Sequence, residues 1–239
     1  MLRVAVTQDV EAGARLAGLL RAAGFEAVPL PQIAFEPTGA AAPEGEFDLL
    51  LATSPRALSF LAAAPGGLPR VARVWAVGAA TARVAFDLGL PVDPDVQPGN
   101  GAALGERLPA APPALRVLVP RGSLGRDEVV DAARARGHKV EAPVVYNTVP
   151  VAYAPADVQA VRAAPPDVLL FTSPSTFRHF LAAFGRSVVA AARAVGALGG
   201  TTRAEIEAAG FSVTFQPARP DLALLVDEVK RFHEQAPLP

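Results

Sequence analysis

The chain has 239 residues, 51% hydrophobic and 19% charged, with a formal net charge of −1. That balance describes a folded chain with a substantial core, excludes disorder, and offers no global attraction to nucleic acid or an acidic membrane. The absence of cysteine excludes disulfides, thiolate metal sites and cysteine nucleophiles. No apolar run approaches the roughly 20 residues of a membrane span, and Met1-Leu2-Arg3-Val4 has no signal-peptide layout, so a cytoplasmic protein is expected.

Leu2–Thr7 reads as a short buried strand of the parallel type. A helix follows, with Leu16, Leu19 and Leu20 on one face and Gly24 as its stop, and Phe25–Leu30 resumes as a strand. The same phrase recurs at 115–145: strand Leu115–Val119, helix through Val129–Arg136, stop at Gly137, strand from Lys139. Leu2 and Leu115 are 113 positions apart, and so are Gly24 and Gly137.

A second phrase repeats more literally. Asp48-Leu-Leu-Leu-Ala-Thr-Ser-Pro55 matches Asp167-Val-Leu-Leu-Phe-Thr-Ser-Pro174, and each runs on into a helix. A third pairs Val74–Gly78 and Thr81 with Val195–Gly199 and Thr202. Strands alternating with helical patterns predict parallel sheets covered by helices. Residues 31–47 and 143–155, rich in Pro, read as inter-domain connections.

The Thr-Ser-Pro turns put Ser54 and Ser173 at helix N-caps and Pro55 and Pro174 at the first helical positions. The N–H groups of Arg56 and Ala57 are then expected free at the positive end of a helix dipole, where an anion is stabilised. A bland alternative is that Ser-Pro only starts a helix. Two copies at the carboxyl ends of strands bring the two readings nearer to even. Thr7, Thr53, Thr172, Ser175, Arg121-Gly122, and the turns leading to Thr81, Thr201 and Thr202 add polar groups at other strand ends.

Other motifs argue against familiar chemistry. Gly99-Asn-Gly101-Ala-Ala-Leu-Gly105 has one residue too many for a dinucleotide fingerprint and follows Gln97-Pro98 rather than a strand. The three histidines lack metal-ligand spacing, so no metal site is expected. Asp48 and Asp167 read as turn residues, and the Phe177, Phe180, Phe184 stripe as core. Of the two tyrosines, Tyr146 and Tyr153, either phenol can donate a proton, and either can equally act as an amphipathic plug.

Together these motifs, the two Asp-(apolar)₃-x-Thr-Ser-Pro runs, Ala76-Val77-Gly78-x-x-Thr81-Ala82, Arg121-Gly122, Val145-Tyr146 and Gly200-Thr201-Thr202, resemble the uroporphyrinogen-III synthase family along essentially the whole chain. Two departures stand out: Thr7-Gln8-Asp9 replaces the usual Thr-Arg-Pro, and Gly199-Gly200 the commoner Gly-Pro. The resemblance implies an α/β fold of two similar flavodoxin-like lobes, each a parallel sheet flanked by helices, joined by a two-stranded connector. One lobe would hold 1–33 and 153–239 and the other 37–147, with connectors near 34–36 and 148–152.

It further implies cyclisation of hydroxymethylbilane to uroporphyrinogen III, with inversion of the last ring, loss of water and no cofactor. Connectors of this length allow hinge motion, so closure of the lobes during the cycle is also expected. Tyr146 matches the tyrosine implicated in departure of the hydroxyl. Ser54, Thr81, Ser173, Thr201 and Thr202 match hydroxyls lining the cleft, and Tyr153 matches nothing. A monomer is implied, in transient contact with hydroxymethylbilane synthase and with no nucleic-acid or membrane partner. A non-catalytic two-lobed receptor for a small anionic ligand fits the helix ends equally well but needs no tyrosine. A nucleotide-sugar transferase would need phosphate-loop glycines that the chain lacks.

Overall fold

The computed structural model describes residues 1–96 and 99–235; Gln97 and Pro98, which lead into the glycine run, lie outside them. The chain opens with β1 (Arg3–Val6), α1 (Val10–Ala22), β2 (Glu26–Pro29) and β3 (Ile33–Pro37). There follow β4 (Glu46–Phe47), β5 (Leu49–Ala52), α2 (Pro55–Ala63), β6 (Arg70–Val71), β7 (Val74–Ala76), α3 (Ala79–Asp87) and α4 (Gly101–Glu106). The second repeat begins with β8 (Arg116–Leu118), β9 (Arg121–Gly122), α5 (Glu128–Ala135), β10 (Lys139–Glu141) and β11 (Val144–Pro150). It ends with α6 (Pro155–Ala163), β12 (Val168–Phe171), α7 (Pro174–Phe184), α8 (Arg186–Ala191), β13 (Ala194–Ala197), α9 (Gly200–Ala208) and α10 (Leu222–Gln235).

The chain divides into two compact units, Met1–Ala34 with Val149–Pro239, and Phe35–Thr148. In the first unit the strands run β2-β1-β12-β13, all parallel, and Phe215 adds a single bridge at Gly196. Alternate side chains leave opposite faces of a strand, which explains the two halves of its core. Val168 and Leu170 pack with Leu16, Leu20, Leu225 and Val229, while Leu169 and Phe171 pack with Phe177, Phe180 and Phe184. With both faces covered, the strands read as continuous apolar runs.

The second unit repeats the plan in the order β10-β8-β5-β7, again parallel, with a bridge from Val74 to Val92. Leu50 and Ala52 face Leu58, Leu61 and Ala85, and Leu49 and Leu51 face Leu104, Val129 and Val130. In both sheets, therefore, the opening strands of one sequence repeat pair with the later strands of the other.

The two aspartates read as turn residues hold those non-local pairs together. Asp167 Oδ2 accepts the Arg3 backbone N–H at 2.8 Å, and Asp48 Oδ2 accepts that of Arg116 at 2.7 Å. Each carboxylate satisfies a donor at the start of the neighbouring strand, and charge-assisted bonds of this kind are the stronger ones.

A third sheet runs β3-β11-β9. β9 lies parallel to β11 with Tyr146 opposite Gly122 after a register shift. Among the described residues no helix is long and apolar enough to cross a membrane.

Candidate functional site

In the second unit, Ser54 caps α2 and Pro55 occupies its first turn, as the local sequence dictates. Ser54 Oγ accepts the Ala57 N–H at 3.0 Å. This corrects the expectation that Ala57 N–H is left free: the cap itself satisfies that donor. Ser54 and Thr53 line a cavity of about 280 Å³ together with Asn100, Gly101, Val119, Arg121, Gly122, Gly125, Arg126, Glu128, Val129 and Tyr146. Thr53 follows β5 and Val119 follows β8, so the cavity sits at the carboxyl ends of the parallel strands.

Asn100 and Gly101, set aside in the sequence as a failed dinucleotide motif, have another role. Asn100 Oδ1 caps α4 by accepting the Ala103 N–H at 2.8 Å. An Asn directly before a helical run was the available signal.

The basic groups here are partly neutralised. Arg121 pairs with Asp127 and donates to the Gly125 carbonyl, leaving its buried Nε without a partner among the described residues. Arg126 lies 3.8 Å from Glu128 and is largely exposed, so that pair contributes little.

Tyr146 enters the cavity from β11. Its ring meets Phe60 at 5.0 Å between centroids and Phe35 at 5.5 Å, edge-on. Gly122 lies under the ring: a β-carbon there would stand 2.4 Å from Tyr146 Cζ. Neither phenylalanine was singled out in the sequence as a site residue, because the packing of β3 and α2 on β11 is not local. Among the described residues the Tyr146 hydroxyl has no hydrogen bond.

In the first unit, Ser173 caps α7 within a full capping box that includes Thr176. Ser175 Oγ lies 3.0 Å from Ser173 Oγ, and Thr172 is half-buried beside them. Thr7, expected at a ligand, is wholly buried and donates its hydroxyl to the Leu170 carbonyl at 2.6 Å. Its role is corrected to joining β1 to β12, since a buried hydroxyl needs an internal acceptor. Thr81 and Thr202 keep only 2% exposure at the third positions of α3 and α9, which turn them toward the core. The cleft-lining hydroxyls expected at these two positions are therefore buried here. Thr201, one residue earlier, is exposed.

Tyr153 is built into the fold. Its hydroxyl donates to the Pro31 carbonyl at 2.7 Å and its ring packs on Phe184. Burial pushes its phenol up to about 12, helped by the Asp157 charge and opposed by a hydrogen bond from Gln32. Among the described residues no group of three or more His, Asp or Glu side chains forms a metal site.

The family model described as uroporphyrinogen-III synthase HemD matches residues 14–227. A uroporphyrinogen-III synthase from Chlorobaculum parvum is 28% identical over 231 residues, covering 91% of this chain and 93% of that protein. The crystal structure of a uroporphyrinogen-III synthetase from Helicobacter pylori 26695 has a TM-score of 0.65 at 17% identity, covering 97% of this chain and 99% of that one. At that identity the likeness speaks for the α/β fold alone. The match of the family model to most of the chain is decisive, and the chain belongs to the uroporphyrinogen-III synthase family.

Proposed function

We propose that this chain cyclises hydroxymethylbilane to uroporphyrinogen III, with inversion of the last ring and loss of water. The observation that carries the reading is the Tyr146 phenol, lining the cavity with no hydrogen bond among the described residues. In the proposed step the terminal C–O bond of the substrate breaks with its electron pair on oxygen, and a proton from the phenol completes the departing water. The electron-rich pyrroles stabilise the carbon left behind. Attack by the last ring gives a spirocyclic intermediate, whose reopening and closure inverts that ring. The proton lost from the ring carbon as the pyrrole regains its aromaticity balances the one the phenol gave up. Such chemistry needs the substrate folded correctly more than it needs strong acids and bases, and no cofactor is involved.

The substrate's eight carboxylates suit a surface built from helix starts. We assign Thr53, Ser54 and Arg121 in the second unit, and Thr172, Ser173, Ser175 and Thr201 in the first, to substrate binding. In this reading the units are duplicated flavodoxin-like lobes, 1–33 with 153–239 and 37–147. The matched strand orders of their sheets support it. The enzyme acts as a monomer. Incubation with hydroxymethylbilane tests the function: excess isomer III over the isomer I that forms spontaneously is expected. Isomer I alone would favour an anion receptor.

A further inference from the structure

Gly122 has no side chain, is buried, and its backbone is not in the left-handed region that would itself require glycine. What a β-carbon would meet is the Tyr146 ring: Cζ at 2.4 Å, Cε2 at 2.5 Å and the hydroxyl oxygen at 2.7 Å. Real β-carbons do not approach so closely, so any residue but glycine moves the phenol. Phe60 lies against the ring at 5.0 Å, tilted by 30°, and Phe35 meets it edge-on at 5.5 Å and 88°. Arg56 stacks on the Phe35 ring with its guanidinium carbon 3.6 Å from the centroid, bracing that ring from α2. Backbone on one side and two rings on others leave the phenol one placement, while its hydroxyl has no partner among the described residues.

We propose that Gly122, Phe35 and Phe60 are positioning residues that hold the Tyr146 hydroxyl at the point where the substrate's hydroxyl departs. The proposal rests on the proton-donor role of Tyr146 given above. It predicts that these residues act on turnover through the tyrosine, because a misplacement of about 1 Å can cost ~100-fold in rate. Gly122→Ala is expected to lower kcat about 10- to 100-fold, with KM within about twofold of wild type. In a Tyr146→Leu background, where the ring is gone, the same substitution is expected to change kcat by less than about twofold, since coupled residues are non-additive.

Equal losses in the two backgrounds would overturn the proposal, because Gly122 would then touch the substrate or support the fold directly. Full turnover by Gly122→Ala alone would overturn it too. If circular dichroism shows Gly122→Ala unfolded, Phe60→Leu enters the same cycle, with the same two outcomes deciding. Tyr146→Phe separates the two levels of argument. Wild-type turnover in that variant removes the proton-donor role itself, whereas a slow Tyr146→Phe with multiplying Gly122 losses removes only the positioning.

Discussion

The two units share a strand order, a Thr-Ser-Pro helix start and an aspartate clamp, yet they use their polar groups differently. In the first unit Thr7 donates to the Leu170 carbonyl and Tyr153 to the Pro31 carbonyl, and Ser173 caps its helix within a full box with Thr176. In the second, Ser54 forms one capping bond, and the Tyr146 hydroxyl forms none among the described residues while facing the same cavity. The shared frame depends on burying apolar strand faces, whereas the strand ends differ. A buried polar group must be satisfied, whereas one facing a cavity is available to a ligand.

The tyrosines test this contrast most strongly. Tyr146→Phe is expected to lower turnover by about 100-fold or more, the usual range for losing a general acid, without altering the melting temperature. Tyr153→Phe is expected to leave turnover near wild type and to destabilise by about 1 kcal/mol, the typical worth of one hydrogen bond. Steady-state kinetics beside thermal melts decide it. Equal kinetic losses would dissolve the distinction between the units.

Next in size is a difference buried in the third repeat phrase. Gly196 on β13 occupies the position that Trp75 holds on β7. The exchange follows from Phe215, whose ring would lie 2.3 Å from a β-carbon at 196. Gly196→Ala is expected to cost about 1–3 kcal/mol through overpacking, read as a lowered midpoint in urea. Pairing it with Phe215→Leu should recover part of that loss, and no recovery would argue that the ring is not the cause.

The helix starts come third. Ser54→Ala and Ser173→Ala should each cost about 1 kcal/mol, the usual worth of an N-cap. Ser173 is expected to cost more, because its loss also unmakes the capping box. Under the proposed substrate contacts, Ser54→Ala also raises KM. A larger stability loss at Ser54 than at Ser173 would reverse this ranking.

Which parts of this were readable in sequence follows the range of the interactions. Ser-Pro starts, glycine stops and apolar runs are local, so α2, α7 and the strands of both sheets could be placed from a few residues each. Asp48 and Asp167 looked like turn residues because their partners, Arg116 and Arg3, lie in distant sequence. Thr7 looked available for the same reason: only the pairing of β1 with β12 puts the Leu170 carbonyl beside it. Tyr146 could be singled out by resemblance, but its seat could not. Phe35 and Phe60 reach it from β3 and α2, and Gly122 has no side chain to attract notice. β9 is two residues long, too short to carry an alternation that would announce a strand.

The smallest effect concerns Tyr153 alone, and it is a matter of pH. Its phenol is raised to about 12, chiefly by burial, against about 10 in an unfolded chain. Below pH 10 the group is protonated in both states, and whatever it contributes to stability is fully present. Between about 10 and 12 the unfolded chain releases its proton while the folded one keeps it, so the unfolded state binds fewer protons and stability falls with rising pH. Above that window the contribution is gone. The half-exposed setting keeps the effect modest, because solvent screens the Asp157 charge. Urea unfolding of wild type and Tyr153→Phe at pH 9 and pH 12 should show a steeper loss in wild type, since every other titrating group is common to both. Parallel losses would mean that Tyr153 ionises as readily in the fold as in water, and the hydroxyl bound to Pro31 would no longer stand as the inward-facing counterpart of Tyr146.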